Sequence, residues 1–231
     1  MPVLLLCTFA LVPEQDPGTV LFQDDFSGPD LNIHWLFYGD PLPRVEDSSG
    51  VPPPCFNNNG DSMGGSGVIS RETFPITAGL CVECDMFMNC CERGTWVTAS
   101  LGMVSPEFRE GYASESDLII AKLDLSYSGE LDWACPHRQT VLNMNGRNGE
   151  DLKYSVFRIH QNHLMNRWVR CRLQINSDLT VSYFIEDSLY MTSPFPIPER
   201  LSHIRVRLGN RSSNWGIALH DNLEVFISEE I

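Results

Sequence analysis

The sequence is short of basic residues. Its 231 residues include 16 Lys and Arg against 30 Asp and Glu, which gives a formal net charge of −14 at pH 7. A nucleic-acid-binding surface needs a basic patch that displaces counterions from phosphates, and the sequence shows none. An anionic membrane surface is disfavoured for the same reason. An acidic surface suits calcium, or neutral ligands such as sugars.

The sequence also lacks long apolar runs and helical spacing. The apolar run at residues 3–12 is too short to span a bilayer, so we expect no membrane span. It is similar to the hydrophobic region of a signal peptide, although no Lys or Arg precedes it. We therefore expect residues 1–17 to be a signal peptide or an N-terminal extension, and residues 18–231 to form one domain of a secreted or cell-surface protein. No segment keeps helical spacing for twelve residues, which argues against a helical fold.

The chain contains eight cysteines. Cys81 and Cys84 form a C-x-x-C pair, and Cys90 and Cys91 follow closely. A zinc site would need four ligands at ribbon-like spacing, whereas these two pairs flank a strand pattern. We therefore expect disulfide bonds, which suit a secreted chain, and leave their connectivity open. Glycosylation of the sequon at Asn210 is left open as well.

Apolar and polar residues alternate with a period of two through most of the chain. This alternation predicts β-strands, and turn residues 176–178 predict a hairpin between two of them. The segment 39–67, rich in Pro and Gly, is predicted to be a loop. Strands separated by turns at this spacing predict an all-β sandwich or barrel. The clearest strand patterns cover residues 80–90, 95–104, 117–125, 167–175, 179–187, 202–208 and 216–227.

Four stretches carry a resemblance to a known family. They are "LFQDDFSGPDLNIHW", "SGVISRETF", "NRWVRCRLQINSDLTVSYFIEDSLYMTSP" and "WGIALHDNLEVF". Over residues 20–228 the chain resembles the concanavalin A-like jelly rolls, which include laminin-G-like domains and laminarinase-type glycoside hydrolases. The resemblance implies a two-sheet antiparallel jelly-roll sandwich, in which residues 20–27 pair with residues 217–227.

Two carboxylates fall on apolar strand faces. Asp24 lies in line with the apolar residues of the first strand, and Asp221 interrupts an apolar face of the last strand. Burying either charge alone is costly. If the strands are neighbours, as the resemblance implies, a structural calcium ion held by Asp24 and Asp221 would offset both charges. In the hydrolase branch of the family, calcium is held there by the last-strand Asp and by backbone carbonyls. The alternative is a bulge, or capping of nearby backbone N–H groups by each carboxylate.

The motif that the resemblance makes relevant to catalysis is incomplete. Laminarinase-type hydrolases carry E-x-D-x-x-E, in which the two Glu are the nucleophile and the acid/base. Here Glu115 and Asp117 match the motif, but Ile120 stands where the second Glu belongs. One carboxylate cannot perform both tasks, so we expect no catalysis of this type.

A carbohydrate-binding face is the more plausible site. Sugars are held by aromatic stacking and by hydrogen bonds from polar side chains in a groove. Trp96 lies on the polar side of its strand, and the other candidates lie on or near the following segments; the alternative is that Trp96 and Trp133 pack under loops. Trp35, Trp168 and Trp215 coincide with core or edge positions of the family and are predicted to be structural. The candidate carbohydrate-binding residues are Trp96, Tyr112, Tyr127, Trp133, His137 and Asn143.

These observations favour a non-catalytic jelly-roll module that binds carbohydrate or forms part of an extracellular assembly. Its partners would be a glycan or polysaccharide, other copies of itself, or other extracellular proteins. One alternative is a glycan-active enzyme of the same fold, either a glycoside hydrolase or a polysaccharide lyase. The other alternative is a purely structural protomer of a surface or filament assembly. The identity of the glycan and the oligomeric state are left open.

Overall fold

The computed structural model describes residues 18–28, 30–39, 42–57, 66–90, 96–108, 119–128, 138–148, 151–160, 164, 166–213 and 216–228. For residues 89–90, 96, 126–128, 138–148, 151–160, 211–213 and 216 it describes the backbone alone.

The regular secondary structure of the described residues is almost entirely β-strand. These residues include a short 3₁₀ helix at Leu31–Ile33, and no helix among them has the length and hydropathy of a membrane span. The strands are β1 (Val20–Asp24), β2 (Trp35–Tyr38), β3 (Arg44–Glu46), β4 (Cys55–Asn57), β5 (Ser66–Ser70), β6 (Phe74–Pro75), β7 (Leu80–Cys90), β8 (Trp96–Val104), β9 (Ile119–Ser128), β10 (Arg138–Asn148), β11 (Asp151–His160), β12 (Trp168–Ile175), β13 (Val181–Ile185), β14 (Ser188–Thr192), β15 (His203–Ser213) and β16 (Gly216–Ile227).

These strands form two antiparallel sheets packed against each other. Sheet A has the order β14-β13-β12-β7-β16-β4-β3, with β1 also paired to β16. Sheet B has the order β11-β10-β9-β8-β15-β5-β2, with β6 also paired to β15. β1 pairs with β16 from Asp24 opposite Leu223 to Val20 opposite Phe226. The predicted two-sheet sandwich and its pairing of the first and last strands are confirmed.

The alternation of the long strands places their apolar residues between the sheets. In β7 the buried side chains on the core side are Leu80, Val82, Cys84, Met86 and Met88. The predicted hairpin is β12 with β13, which pair from Cys171 opposite Ile185 to Ile175 opposite Val181.

The prediction of a continuous loop over residues 39–67 is wrong. This segment contains β3 and β4, and the first residues of β5. β3 and β4 have three residues each, which is too short to show a period of two, and they form only because β16 offers β4 an edge to pair with. Their pairing is a tertiary contact that the local sequence does not signal.

β16 contains a one-residue bulge that reverses its faces. Asp221 lies opposite Asp85 and Glu224 lies opposite Glu83, so three steps along β16 match two steps along β7. Asn222, inside the bulge, has a φ of 48°. Before the bulge the core side holds Ala218 and His220, and after it the core side holds Leu223, Val225 and Ile227. The prediction that one apolar face runs along the whole strand is therefore wrong. Asp221 lies with Asp85 on the outer side of sheet A.

Asp24, by contrast, does lie on the core side of its strand. It is opposite Leu223, a core residue. Its Oδ2 accepts a hydrogen bond from Nε1 of Trp35 at 2.7 Å, and its Oδ1 accepts one from the Phe26 backbone N–H at 2.7 Å. Trp35 is fully buried and belongs to β2 of sheet B. The carboxylate therefore joins the two sheets at their edge and satisfies the one polar atom of a buried indole.

We predict that Asp24→Asn lowers the free energy of unfolding by about 2 kcal/mol, because its two hydrogen bonds end on different oxygens. An amide keeps one acceptor oxygen and turns an NH₂ group toward the other N–H donor. Asp25→Asn is the matched control. Asp25 is adjacent, and both of its hydrogen bonds, from the Ser27 N–H and Oγ, end on Oδ1, which an amide oxygen can replace. Equal unfolding free energies for the two variants in a urea titration would contradict this role for Asp24.

His220, which is not among the predicted site residues, is fully buried between the sheets. Its Nε2 lies 3.1 Å from the backbone oxygen of Ser100 in β8. A carbonyl oxygen only accepts, so Nε2 carries the proton and the ring is the donor. Burial lowers the pKa of His220 from its usual 6.5 to about 4. The neutral ring is thus a second polar link between sheets A and B.

This burial makes stability depend on pH. Above about pH 6.5 the ring is neutral in both the folded and unfolded chains, so its protonation does not change the free energy of unfolding. Between about pH 6.5 and 4 the unfolded chain binds a proton that the folded chain does not, so stability falls as pH falls, by about 3 kcal/mol in total. We predict that His220→Gln, which still donates to Ser100, loses this part of the pH dependence. The measurement is the free energy of unfolding of both proteins at pH 7 and at pH 4.5. An equal loss of stability between these two pH values in wild type and variant would contradict the prediction.

Candidate functional site

The outer side of sheet B carries a polar row at its centre. Ser100 of β8 lies opposite Asp124 of β9. Ser100 Oγ donates to Asp124 Oδ1 at 2.6 Å, and Lys122 Nζ lies 2.7 Å from Asp124 Oδ2. Both oxygens of this buried carboxylate are therefore engaged. Ser100 also lies opposite Gly209 of β15, which continues the row.

The aromatic ring of Tyr38 lies at the other end of this row. Tyr38 lies opposite Gly67, and Gly67 lies opposite Gly209. A Cβ on Gly67 would lie 2.4 Å from the Tyr38 hydroxyl, and a Cβ on Gly209 would lie 2.8 Å from it. The two glycines therefore allow the tyrosine to lie across the sheet. The guanidinium carbon of Arg207 lies 5.2 Å from the Tyr38 ring centroid and 6.0 Å from that of Phe108, which are cation–π contacts.

Three of the predicted carbohydrate-binding residues lie on strands of sheet B. Trp96 begins β8 opposite Ser128, Tyr127 of β9 lies opposite Val97, and Asn143 of β10 lies opposite Lys122. Only the backbone of these three residues is described. Tyr112, Trp133 and His137 lie outside the described residues. The structure thus brings three strand positions into one sheet, and the binding roles of all six side chains stay predictions.

The structure describes only part of the predicted catalytic motif at residues 115–120. Glu115 and Asp117 lie outside the described residues, and Ile120 is a half-buried residue of β9 that packs against the core. Among the described side chains on the strands of sheet B, Asp124 is the one acidic residue. A retaining glycosidase needs two carboxyl groups about 5–5.5 Å apart. Asp124, held by Lys122 and Ser100, does not supply such a pair.

On the outer side of sheet A, the fully buried Asp221 binds the loop that precedes β4. Its Oδ2 accepts from the Val51 N–H, and its Oδ1 accepts from the Asn222 N–H at 2.8 Å. The Asn222 side chain returns a hydrogen bond to the Val51 carbonyl at 2.8 Å. Burial raises the pKa of Asp221, and the nearby Asp85 and Asp25 raise it further. Within the described part of the chain, no Lys, Arg or His forms an ion pair with this carboxylate.

The two residues proposed for calcium, Asp24 and Asp221, face opposite sides of sheet A. Asp24 lies on the core side of sheet A and Asp221 on the outer side, and each of their four oxygens accepts an N–H group. No group of three or more His, Cys, Asp or Glu that could hold a metal is present among the described residues. A calcium ion shared by Asp24 and Asp221 therefore has no support in this geometry. Capping of N–H groups accounts for both acids, and calcium binding itself stays a prediction.

The four cysteines whose side chains are described are buried thiols. Cys55, Cys81, Cys84 and Cys171 are free, so the expected disulfides are not present among these four. Cys81 and Cys84 are three residues apart on one strand and hence point to opposite faces, which also argues against a shared zinc ion. Burial raises the pKa of each of these thiols, which suits structural cysteines. Asn210, at the sequon, is buried in β15, so the folded chain does not present it for glycosylation.

Comparison with known proteins finds similarity at the level of structure. No protein-family model matches the chain, and no curated protein sequence matches it. A glycoside hydrolase family 16 endo-glucanase from Bacteroides ovatus is similar over 90% of this chain and 100% of its own, at 10% identity and a TM-score of 0.59. A structure from work on endo-acting O-glycanases of the human gut microbiota covers 90% of this chain and 99% of its own, at 15% identity and a TM-score of 0.56.

A lectin-type domain is equally similar. The carbohydrate recognition domain of Emp47p covers 80% of this chain and 88% of its own, at 9% identity and a TM-score of 0.56. Identities this low show the fold alone, and both hydrolases and lectins have it. The two packed sheets, the pairing of first and last strands, and these similarities together establish that the chain has the concanavalin A-like jelly-roll fold.

Proposed function

We propose that the protein is a non-catalytic carbohydrate-binding module of the concanavalin A-like fold, secreted or on the cell surface. One observation carries the proposal: the acidic residue described on sheet B has both of its oxygens engaged, by Ser100 and by Lys122. Retaining and inverting glycosidases both use a pair of carboxyl groups, and this single described carboxylate does not supply a pair. The similarity of the chain to both lectin-type domains and hydrolases makes a glycan the natural ligand class.

The proposed glycan site is the outer side of sheet B, on which the strand positions of Trp96 and Asn143 fall. Trp96 would supply aromatic stacking, and Asn143, opposite Lys122, would supply hydrogen bonds. Tyr127 lies opposite the core residue Val97, so its strand position is on the other face, and the register does not support its predicted role. Tyr112, Trp133 and His137 belong to the same proposed site. Association with other copies or other extracellular proteins would bring several such sites together and raise avidity.

We predict that the protein binds a neutral polysaccharide on a glycan array and that Trp96→Ala weakens this binding at least about tenfold, because the stacking surface is lost. Tyr190→Ala is the control, since it removes an aromatic ring from β14 at the far edge of sheet A. Unchanged binding by the Trp96 variant would place the site elsewhere. Turnover of β-glucans, galactans or alginate that vanishes in Glu115→Gln would show that the protein is an enzyme.

Calcium binding is a separate proposal, and it concerns Asp221 alone. The support is its complete burial without a described cationic partner, together with the position of Asp85 directly opposite it on β7. At free calcium one hundred times the dissociation constant, bound ion would stabilise the fold by about 2.7 kcal/mol. We predict that calcium raises the Tm of the wild type relative to chelator and leaves the Tm of Asp221→Asn unchanged. A wild-type Tm that does not respond to chelator would show that N–H groups alone satisfy this acid.

A further inference from the structure

The outer side of sheet A contains a cleft that no local sequence pattern predicts. Its volume is about 480 Å³, which is within the usual range for small-molecule sites. It lies on the opposite sheet from the proposed glycan site. The side chains that matter for its chemistry are Glu46, Asn57, Phe87, Trp168, Ile217 and Leu219.

The floor of the cleft is a row of apolar side chains from three adjacent strands. Trp168 of β12 lies opposite Phe87 of β7, and Phe87 lies opposite Leu219 of β16. Directly opposed residues present their side chains on the same face of a sheet. The ring centroids of Trp168 and Phe87 are 5.5 Å apart, with the planes tilted by 47°. Trp168, predicted to be structural, is thus a half-buried aromatic on an outer surface.

A fixed polar pair forms one side of the cleft. Asn57 of β4 lies opposite Leu219, and its Nδ2 donates to Glu46 Oε2 at 3.2 Å. Ser48 Oγ donates to Glu46 Oε1 at 2.7 Å. These two bonds lower the pKa of Glu46, which is therefore ionised at neutral pH. Each carboxylate oxygen keeps a second lone pair, so Glu46 can still accept hydrogen bonds from a ligand.

The bulge in β16 holds another wall in place. Ser49 and Gly50 line the cleft, and the next residue, Val51, is hydrogen-bonded through both its N–H and its carbonyl to Asp221 and Asn222. These hydrogen bonds join the loop to β16 in addition to its chain connections to β3 and β4. Because the wall is fixed before a ligand arrives, binding does not have to order it.

We propose that this cleft binds one or two sugar residues of a neutral glycan. A pyranose ring has a face of C–H groups that matches the Trp168 and Phe87 rings, and a rim of hydroxyls that can donate to Glu46. An entirely apolar ligand would remove the ionised Glu46 from water and offer no donor to its remaining lone pairs. An anionic sugar would meet the Glu46 carboxylate, whose charge the exposed Arg44, 3.9 Å away, offsets only in part. A second protein copy fits less well, because stable interfaces bury about 800 Å² per partner and the apolar area here is a short row inside a cleft.

This site goes beyond the proposed function, because it lies on sheet A and does not require the sheet B residues. The experiment labels the five tryptophans with fluorine and follows their ¹⁹F NMR signals. The probes are hexaoses of β-1,3-linked glucose, β-1,4-linked glucose and β-1,4-linked galactose, with a mannuronate hexamer as the anionic comparison. Trp168→Phe and Trp96→Phe assign the two signals that decide between the sites.

We expect the Trp168 signal to titrate with at least one neutral hexaose and not with the mannuronate. Glu46→Gln should weaken this titration about tenfold, because an acceptor loses its charge. Glu224→Gln is the matched control, since it makes the same charge change on sheet A outside the cleft. It should leave the titration unchanged.

Three results would overturn the proposal. The first is a Trp168 signal that no hexaose moves at millimolar concentration; if the Trp96 signal still moves, the sheet B proposal stands alone. The second is a Trp168 titration that Glu46→Gln leaves unchanged, or that the mannuronate reproduces. The third is a Trp168 signal that shifts with protein concentration in the absence of sugar, which would identify a second copy of the chain as the occupant.

Discussion

A single extra residue in the last strand is the constraint on which both faces of sheet A depend. β16 pairs with β7 along most of its length, but it matches two steps of β7 with three of its own between Asp221 and Glu224. At the same place its other edge passes from β4 to β1. Asn222 takes up the bulge with a positive φ, which asparagine tolerates better than most residues. The bulge therefore sets which side chains enter the core and where the two N-terminal partner strands meet.

The two acids that stand out in the sequence consequently perform different tasks. Asp24 lies on the core side and binds the indole of Trp35 in the opposite sheet, whereas Asp221 lies on the outer side and binds the loop around Val51. His220, one residue before Asp221, lies on the core side and contacts the Ser100 carbonyl. Two polar links thus cross the sandwich interior. The third polar group orders a wall of the cleft that contains Trp168.

Several long strands could be predicted from the sequence because alternation over eight or more residues is hard to produce by chance, whereas β10 and β11 are missing from the predicted ranges. β7, β8 and β12 begin and end within a residue of the predicted ranges. The three-residue strands β3 and β4 could not be predicted, since they carry no period. The alternation in β16 predicts the wrong side chains for the core, because the bulge switches the two faces of the strand. The Asp221-Asn222 pair in mid-strand is the one sequence feature that indicates a bulge there. The Trp168 cleft depends on contacts between residues near 50 and near 220, which local patterns do not reveal.

Amide hydrogen exchange at Val51, measured by NMR, tests most directly whether the bulge orders the outer face of sheet A. In the wild type the Val51 N–H donates to the Asp221 carboxylate and should exchange slowly. In Asp221→Ala this acceptor is lost, so Val51 should exchange at the rate of an open loop while Val82 and Cys84 in β7 remain protected. Fast exchange at Val51 in the wild type, or equally slow exchange in the variant, would contradict the account.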